Sequence, residues 1–215
     1  MNKRSFIKRL LALSVGGAVL GKIAWLNLFA SESEKQNKMK IVVLTGSPRK
    51  NGNSAYLAEQ FIKGAEESGH EVFRFDSALQ NVHYCTGCLA CGYNGPCVIR
   101  DDFDILSSHL VSADMIVFAT PIYYYGISGQ LKTVLDRFNA FNNHIKDKNK
   151  KSAFMVVCAN ASADTADPIL HHYKALCGYL GFQDMGTVVA PGVYRDGDIK
   201  QTNYGEEAYQ LGKSI

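Results

Sequence analysis

Four cysteines crowd one stretch of the chain with the spacing Cys85-x2-Cys88-x2-Cys91-x5-Cys97, close enough for several thiolates to converge on one centre. Four thiolates can hold a [4Fe–4S] cluster or a zinc ion; in an oxidising compartment they form disulfides, and otherwise they stay free. The cysteines alone leave all of these outcomes open. Cys158, at the end of an apolar run, and Cys177, on the apolar side of a helical pattern, read as inert core residues. The six histidines, at 70, 83, 109, 144, 171 and 172, share no metal spacing with a carboxylate. His171-His172 read as helix residues with one ring facing solvent.

Two other stretches are suited to binding rather than bond-breaking. Thr45-Gly46-Ser47-Pro48-Arg49-Lys50-Asn51-Gly52-Asn53-Ser54 leads from an apolar run into a helical pattern. The hydroxyls of Ser47 and Ser54 and the amides of a helix start can donate to a phosphate, and Arg49 adds a planar charged fork. A dianionic monophosphate fits this set. Neither G-x-G-x-x-G nor G-x-x-x-x-G-K is present, so the dinucleotide fingerprint and the P-loop are not supported. Thr120-Pro121-Ile122-Tyr123-Tyr124-Tyr125-Gly126 follows a later apolar run. Its rings can stack on a flat conjugated system while its backbone N–H groups bond the polar edge of that system. A small polar loop, Ala159-Asn160-Ala161-Ser162, is a third candidate to approach the ring edge.

These loops need strand ends to position them, and the chain supplies them. Short apolar runs alternate with amphipathic stretches from Met39 onward, the pattern of parallel strands joined by crossover helices. Strands are expected at 41–44, 71–75, 115–119, 153–158 and 186–190. Helices are expected from Asn53, capped by Asn53 or Ser54 and stopped at Gly69; over 102–112; from a Ser128 cap through Phe138; over 164–180, ended by Gly181; and near Gly205. Residues 76–101 have no period and form a long loop, a length usually functional. Lys146 to Lys151 reads as a solvated basic turn, and Asp136-Arg137 as an ion pair on a helix surface. The fold class is therefore α/β, a doubly wound five-stranded parallel sheet with helices on both faces, binding ligands beyond the carboxyl ends of its strands.

The chain has 215 residues, 47% hydrophobic, enough for one sizeable core. Its net charge of +3 is uneven: residues 1–40 hold eight Lys/Arg against two Glu, so the rest carries −3. A mildly acidic domain without a basic stripe argues against a nucleic-acid partner. Residues 1–38 run from basic through apolar to polar, the order of an export signal, and the 20-odd apolar residues would also serve as a membrane anchor. Residues 39–215 form the binding domain. Asn2-Lys3-Arg4-Ser5-Phe6-Ile7-Lys8 resembles the twin-arginine signal, with Lys3 in place of the first arginine. That pathway exports folded, cofactor-loaded proteins, so the expected location is the periplasm or the outer face of the inner membrane, with the cytoplasm as the alternative.

The motifs GSPRKNGNS after the first strand and TPIYYYGISGQLKTVLDR after the third resemble the NAD(P)H-dependent FMN reductase family of the flavodoxin superfamily, over about residues 39–190. The resemblance implies a flavodoxin-like sheet of order 2-1-3-4-5, FMN as cofactor and NAD(P)H as co-substrate. It places Ser47, Arg49, Asn53 and Ser54 on the phosphate and Pro121, Ile122, Tyr123, Tyr124, Tyr125 and Gly126 against the ring. It also implies a homo-oligomer in which a neighbouring subunit covers the flavin. The cysteine run, with Thr86-Gly87, Gly95 and Asp101-Asp102, resembles that of the iron–sulfur flavoproteins, which implies a cubane cluster held by Cys85, Cys88, Cys91 and Cys97 near the FMN. Similar cysteines occur in relatives without a cluster.

The expected activity is FMN-dependent oxidation of NAD(P)H, with electrons passed to a flavin, quinone or protein acceptor and no catalytic acid or base of the protein required. The alternative is a non-enzymatic iron–sulfur flavoprotein electron carrier. Free NAD(P)H is scarce outside the cytoplasm, so an export signal shifts weight toward the carrier or another donor.

Overall fold

The computed structural model describes residues 38–215; the export signal or anchor expected over 1–38 lies outside the described residues except for Lys38. The elements are β1 (Lys40–Thr45), α1 (Asn53–Glu67), β2 (Glu71–Asp76), α2 (Phe103–Ser112), β3 (Met115–Pro121), α3 (Gly129–Asp136), the short α4 (Asn142–Ile145), β4 (Lys151–Val157), α5 (Asp167–Leu180), β5 (Gln183–Ala190) and α6 (Tyr204–Lys213). The strands form one parallel sheet of order β2-β1-β3-β4-β5, the flavodoxin-like order. The chain winds outward from β1 in both directions, so the ends of β1 and β3 diverge into a crevice.

Alternation along each strand divides the apolar residues between two cores. Ile41 and Val43 of β1 join Met115 and Val117 of β3 beneath α1 and α6. Val42 and Leu44 join Ile116 and Phe118 on the other face, beneath α2, α3 and α5. Strands buried on both faces read as nearly continuous apolar runs, which is how β1, β3 and β4 appear in the sequence. Each large side chain at full burial, such as Phe61 or Phe103, contributes roughly 1.5–3 kcal/mol.

Helix α6 crosses α1 at backbone contact. A Cβ on Gly64 would collide with the Tyr209 carbonyl, and one on Gly212 with the Phe61 carbonyl. Gly181 ends α5 in the left-handed conformation, and the Ser128 hydroxyl caps α3 by accepting from the Leu131 amide. The first helix differs from expectation: its cap is Gly52, without a side-chain bond, because Asn53 is engaged elsewhere.

Two charged groups also depart from the sequence reading. Lys150 is buried rather than solvated, its Nζ donating to the carbonyls of Val111, at 2.9 Å, and Ala113. Those oxygens lie at the C-terminal end of α2, where helical carbonyls lack partners and favour a cation. Burial lowers the Lys150 pKa, partly offset by the charge of Asp114. Arg137 is fully buried and does not pair with Asp136, which instead meets Lys132 at 2.6 Å. Residues 137 to 141 form a 3-10 turn after α3; Arg137 opens it three residues after buried Val134 and so falls on the same inward face.

Candidate functional site

The loop after β1 turns sharply into α1. The Gly46 amide bonds the Ala119 carbonyl at 2.8 Å, the Gly52 amide bonds the Arg49 carbonyl at 3.1 Å, and the Ser47 hydroxyl accepts from the Arg49 amide at 3.1 Å. The first turn of α1 therefore opens at the crevice with amides that have no acceptor within the helix. Beside them, the Ser54 hydroxyl is buried without a hydrogen-bond partner. A buried hydroxyl left unpaired costs roughly 1–3 kcal/mol, and an anion at the helix start would remove that cost.

A cavity of about 180 Å³ lies here. Ser47, Arg49, Gly52, Asn53 and Ser54 form its polar end, and Pro121, Ile122 and Tyr123 a wall at the end of β3. The Ile122 amide bonds the Val157 carbonyl at 2.9 Å, which holds this wall to β4. After Tyr123 the chain reverses: Tyr123 and Gly126 exchange backbone bonds at 3.1 Å, and Tyr124 and Tyr125 take φ of 48° and 64°. Positive φ at both central positions is the geometry of a type I′ turn. Tyr124 is 100% exposed and Tyr125 exposed; neither lines the cavity, nor does Gly126. Asn160 is exposed as well, its Oδ1 accepting from the Ser162 amide at 3.0 Å, and the loop touches the cavity through Ala159 instead.

The four cysteines line a second cavity of about 220 Å³, together with Arg137. None of them is disulfide-bonded, and they range from exposed Cys88 to buried Cys97. Among the described residues, no three His, Cys, Asp or Glu side chains are gathered tightly enough to hold a metal ion. Residues 87, 89, 92, 93 and 95 all have positive φ, which coils the loop around the cavity. Hydrogen bonds from the Ala90 backbone and the Thr86 side chain lower the Cys88 pKa.

The loop is tied down by one ion pair whose two side chains are fully buried. Arg137 Nη1 donates to Asp101 Oδ2 at 2.8 Å and to the His83 carbonyl at 2.9 Å, Nη2 donates to the Ile99 carbonyl at 3.0 Å, and the guanidinium lies 4.7 Å from the centre of the Phe103 ring. Burial pushes the Asp101 carboxyl upward in pKa, but hydrogen bonds from Arg137 and the His83 and Phe103 amides outweigh it and hold the group below the usual carboxylate range.

With this geometry, the NADPH-dependent FMN reductase family matches the chain over residues 39–194. The chain belongs to that family. It is 32% identical over 181 residues to an iron–sulfur flavoprotein of Archaeoglobus fulgidus, covering 82% of this chain and 79% of the relative. It is 29% identical over 188 residues to one from Methanocaldococcus jannaschii, covering 82% and 95%. Among solved structures, NAD(P)H:quinone oxidoreductase from Methanothermobacter marburgensis has a TM-score of 0.64 at 16% identity, over 82% of this chain and 96% of that one. An azoreductase from Bacillus anthracis has a TM-score of 0.64 at 19% identity, over 82% and 100%. At these identities the structural likeness shows the fold.

This family member is thus an enzyme of the flavin-dependent NAD(P)H oxidoreductases, and its cavity includes residues that the motifs did not reveal. Val193 and Tyr194, from the segment after β5, close the polar end, and Cys158 and Val157 form part of the floor. Arg49 Nη1 donates to the Tyr194 carbonyl at 3.1 Å and to Asp196 Oδ1 at 3.2 Å. Asn53 bridges the segment, donating to the Arg195 carbonyl at 3.0 Å and accepting from the Ile199 amide at 3.3 Å. Asp198 shapes the turn by accepting from the Tyr194 and Arg195 amides, which also lower its pKa. The signal was the dense run Gly192-Val193-Tyr194-Arg195-Asp196-Gly197-Asp198 after the last strand, a turn composition with no ligand chemistry of its own.

Proposed function

We propose that the crevice at the ends of β1 and β3 holds FMN and that the protein transfers electrons from NAD(P)H through it to an acceptor. The observation that carries the reading is the unpartnered Ser54 hydroxyl at the start of α1, in one cavity with Ser47, Arg49 and the Pro121–Tyr123 wall. Ser47, Ser54 and the first-turn amides would donate to the phosphate. Arg49 would exchange its exposed carboxylate partner, Asp196, for a dianion that it can grip with two parallel bonds. Pro121, Ile122 and Tyr123 would pack against the ring and keep water from one face, with the β3 loop fixing its orientation. Bound FMN supplies hydride acceptance from a nicotinamide and release of the electrons to the acceptor. Burial raises the Cys158 pKa, so the thiol beside the cavity stays protonated and serves as a wall.

The cysteine cavity supports a second element of this reading, a [4Fe–4S] cluster. A zinc ion requires each sulfur about 2.3 Å from one point, whereas a cubane takes one thiolate at each corner. Four cysteines around one cavity could supply those four corners. The similar iron–sulfur flavoproteins support it too. The amino-terminal segment supports export, to the periplasm or to the outer face of the inner membrane, and the exposed Tyr124, Tyr125 and Tyr194 support a second copy lying over the flavin.

Anaerobic purification followed by absorption spectroscopy, cofactor extraction, iron and sulfide assay and steady-state NADH and NADPH oxidation tests the whole reading. FMN with turnover is expected. Flavin with no turnover on flavin, quinone or protein acceptors would leave the carrier function, and absence of any flavin would overturn the assignment.

A further inference from the structure

Arg137 presents five N–H donors, and three of them have acceptors, two on Nη1 and one on Nη2, while Nε is buried with no partner. The protein commits much to hold it there. The side chain is fully buried, its charge is met by the buried carboxylate of Asp101, and it rests on the Phe103 ring. A buried, charged N–H without an acceptor is a costly defect, and the Asp101 and carbonyl acceptors are already engaged by the other two nitrogens. Arg137 itself lines the cavity of Cys85, Cys88, Cys91 and Cys97, so the sulfurs of a cluster bound there would be acceptors within that same cavity.

We infer that Arg137 donates its Nε–H to a sulfur of the cluster held by these cysteines and thereby sets the cluster's reduction potential, with Asp101 fixing the guanidinium in place. The inference rests on the cluster reading above. A positive donor at a sulfur favours the more negative, reduced form and raises the potential. Arg137 is a tuning residue, and its role differs from that of a plain loop anchor: an anchor would govern how much iron is bound, whereas a donor to sulfur governs the potential at equal iron.

The test uses the full chain, reconstituted anaerobically with ferrous iron and sulfide, in the wild type, in Arg137→Lys, and in the double variant Asp101→Asn/Arg137→Gln. The lysine keeps the charge for Asp101 but lacks Nε; the double variant removes both charges and so leaves no unpaired ion. Iron and sulfide per chain and the midpoint potential are measured by assay and dye-mediated titration. The expected result is wild-type iron content with a more negative midpoint in at least one variant. Equal potentials at equal iron would overturn the inference while leaving the cluster in place. Loss of iron from both variants would assign Arg137 to structure alone and also overturn it. A wild type that binds flavin but no iron would remove the cluster reading and this inference together, and the flavin site would stand.

Discussion

Ser54 and Arg49 make opposite demands on the free protein, and substitution separates them. The Ser54 hydroxyl has no partner, so Ser54→Ala should leave the thermal midpoint of the apoprotein unchanged or slightly raised. It should nonetheless weaken FMN about tenfold or more, since a hydrogen bond to a charged group is worth about 1.5–3 kcal/mol; fluorescence titration of the apoprotein measures this. Arg49 holds an exposed carboxylate and a backbone carbonyl and lies 5.9 Å from the centre of the exposed Tyr194 ring, and exposed contacts of this kind contribute roughly 0–1 kcal/mol each. Arg49→Ala should therefore fold normally and be purified with little flavin; unchanged flavin content would remove Arg49 from the phosphate site. Asp101 is different because its partner is buried. Asp101→Asn should cost about 3–5 kcal/mol, read by denaturant unfolding. Its pH dependence has a definite sign: the folded-state pKa is lowered, so the stabilisation is complete above the unfolded value of about 4 and is lost as pH falls through the folded value. The variant should lack that component of acid destabilisation, and parallel pH profiles would refute it.

At the scale of elements, the crossing of α1 and α6 depends on two glycines facing opposing backbone. Neither carbonyl can yield as a side chain would, so Gly64→Ala or Gly212→Ala should force the helices apart and cost about 1–3 kcal/mol or more, visible as a lower thermal midpoint. Flavin should bind normally in whatever fraction folds, because the crossing lies away from the cavity. The hairpin after β3 stores strain instead of clash. Left-handed backbone costs a residue with a side chain roughly 1–2 kcal/mol, and Tyr124 and Tyr125 both adopt it. Replacing the pair by Asn-Gly, the residues this turn prefers, should raise the thermal midpoint of the isolated chain. Sedimentation of the wild type and the Asn-Gly variant tests the proposed second copy over the flavin: self-association of the wild type that the variant loses would support it, and equal behaviour of the two would remove these tyrosines from that interface.

For the whole molecule, the residues proposed for both cofactors come from one compact unit, Met39–Ile215. A chain beginning at Met39 should fold and retain flavin to the same stoichiometry, measured by circular dichroism and cofactor extraction. The two cavities share no lining residue. They are nonetheless connected through the framework: the first lies at the ends of β1 and β3, and the second is anchored by Arg137 at the end of the helix that β3 leads into. Sheet order is thus the reason that loops far apart in sequence, those after β1, β3 and β5, meet at one cavity.

Strand alternation, helical periodicity and the turn residues Ser128 and Gly181 are local, and they determined the five strands, their helices and the two cores before any tertiary contact was considered. The placement of Ser47, Arg49, Asn53, Ser54 and Pro121 to Tyr123 at strand ends followed from the same local patterns, as did the grouping of the four cysteines in one loop. Tertiary structure alone decided which of three adjacent tyrosines faces the cavity, because the direction of a side chain in a tight turn depends on backbone φ rather than on residue type. It also decided that Tyr194 meets Arg49, 145 positions away, which requires β5 to finish beside the β1 loop. Arg137 shows the limit most plainly. Beside Asp136 it reads as a surface ion pair, yet it lies on the inward face of the helix end and reaches Asp101, 36 positions away, since a charge can be buried only where the fold supplies its counter-charge and acceptors.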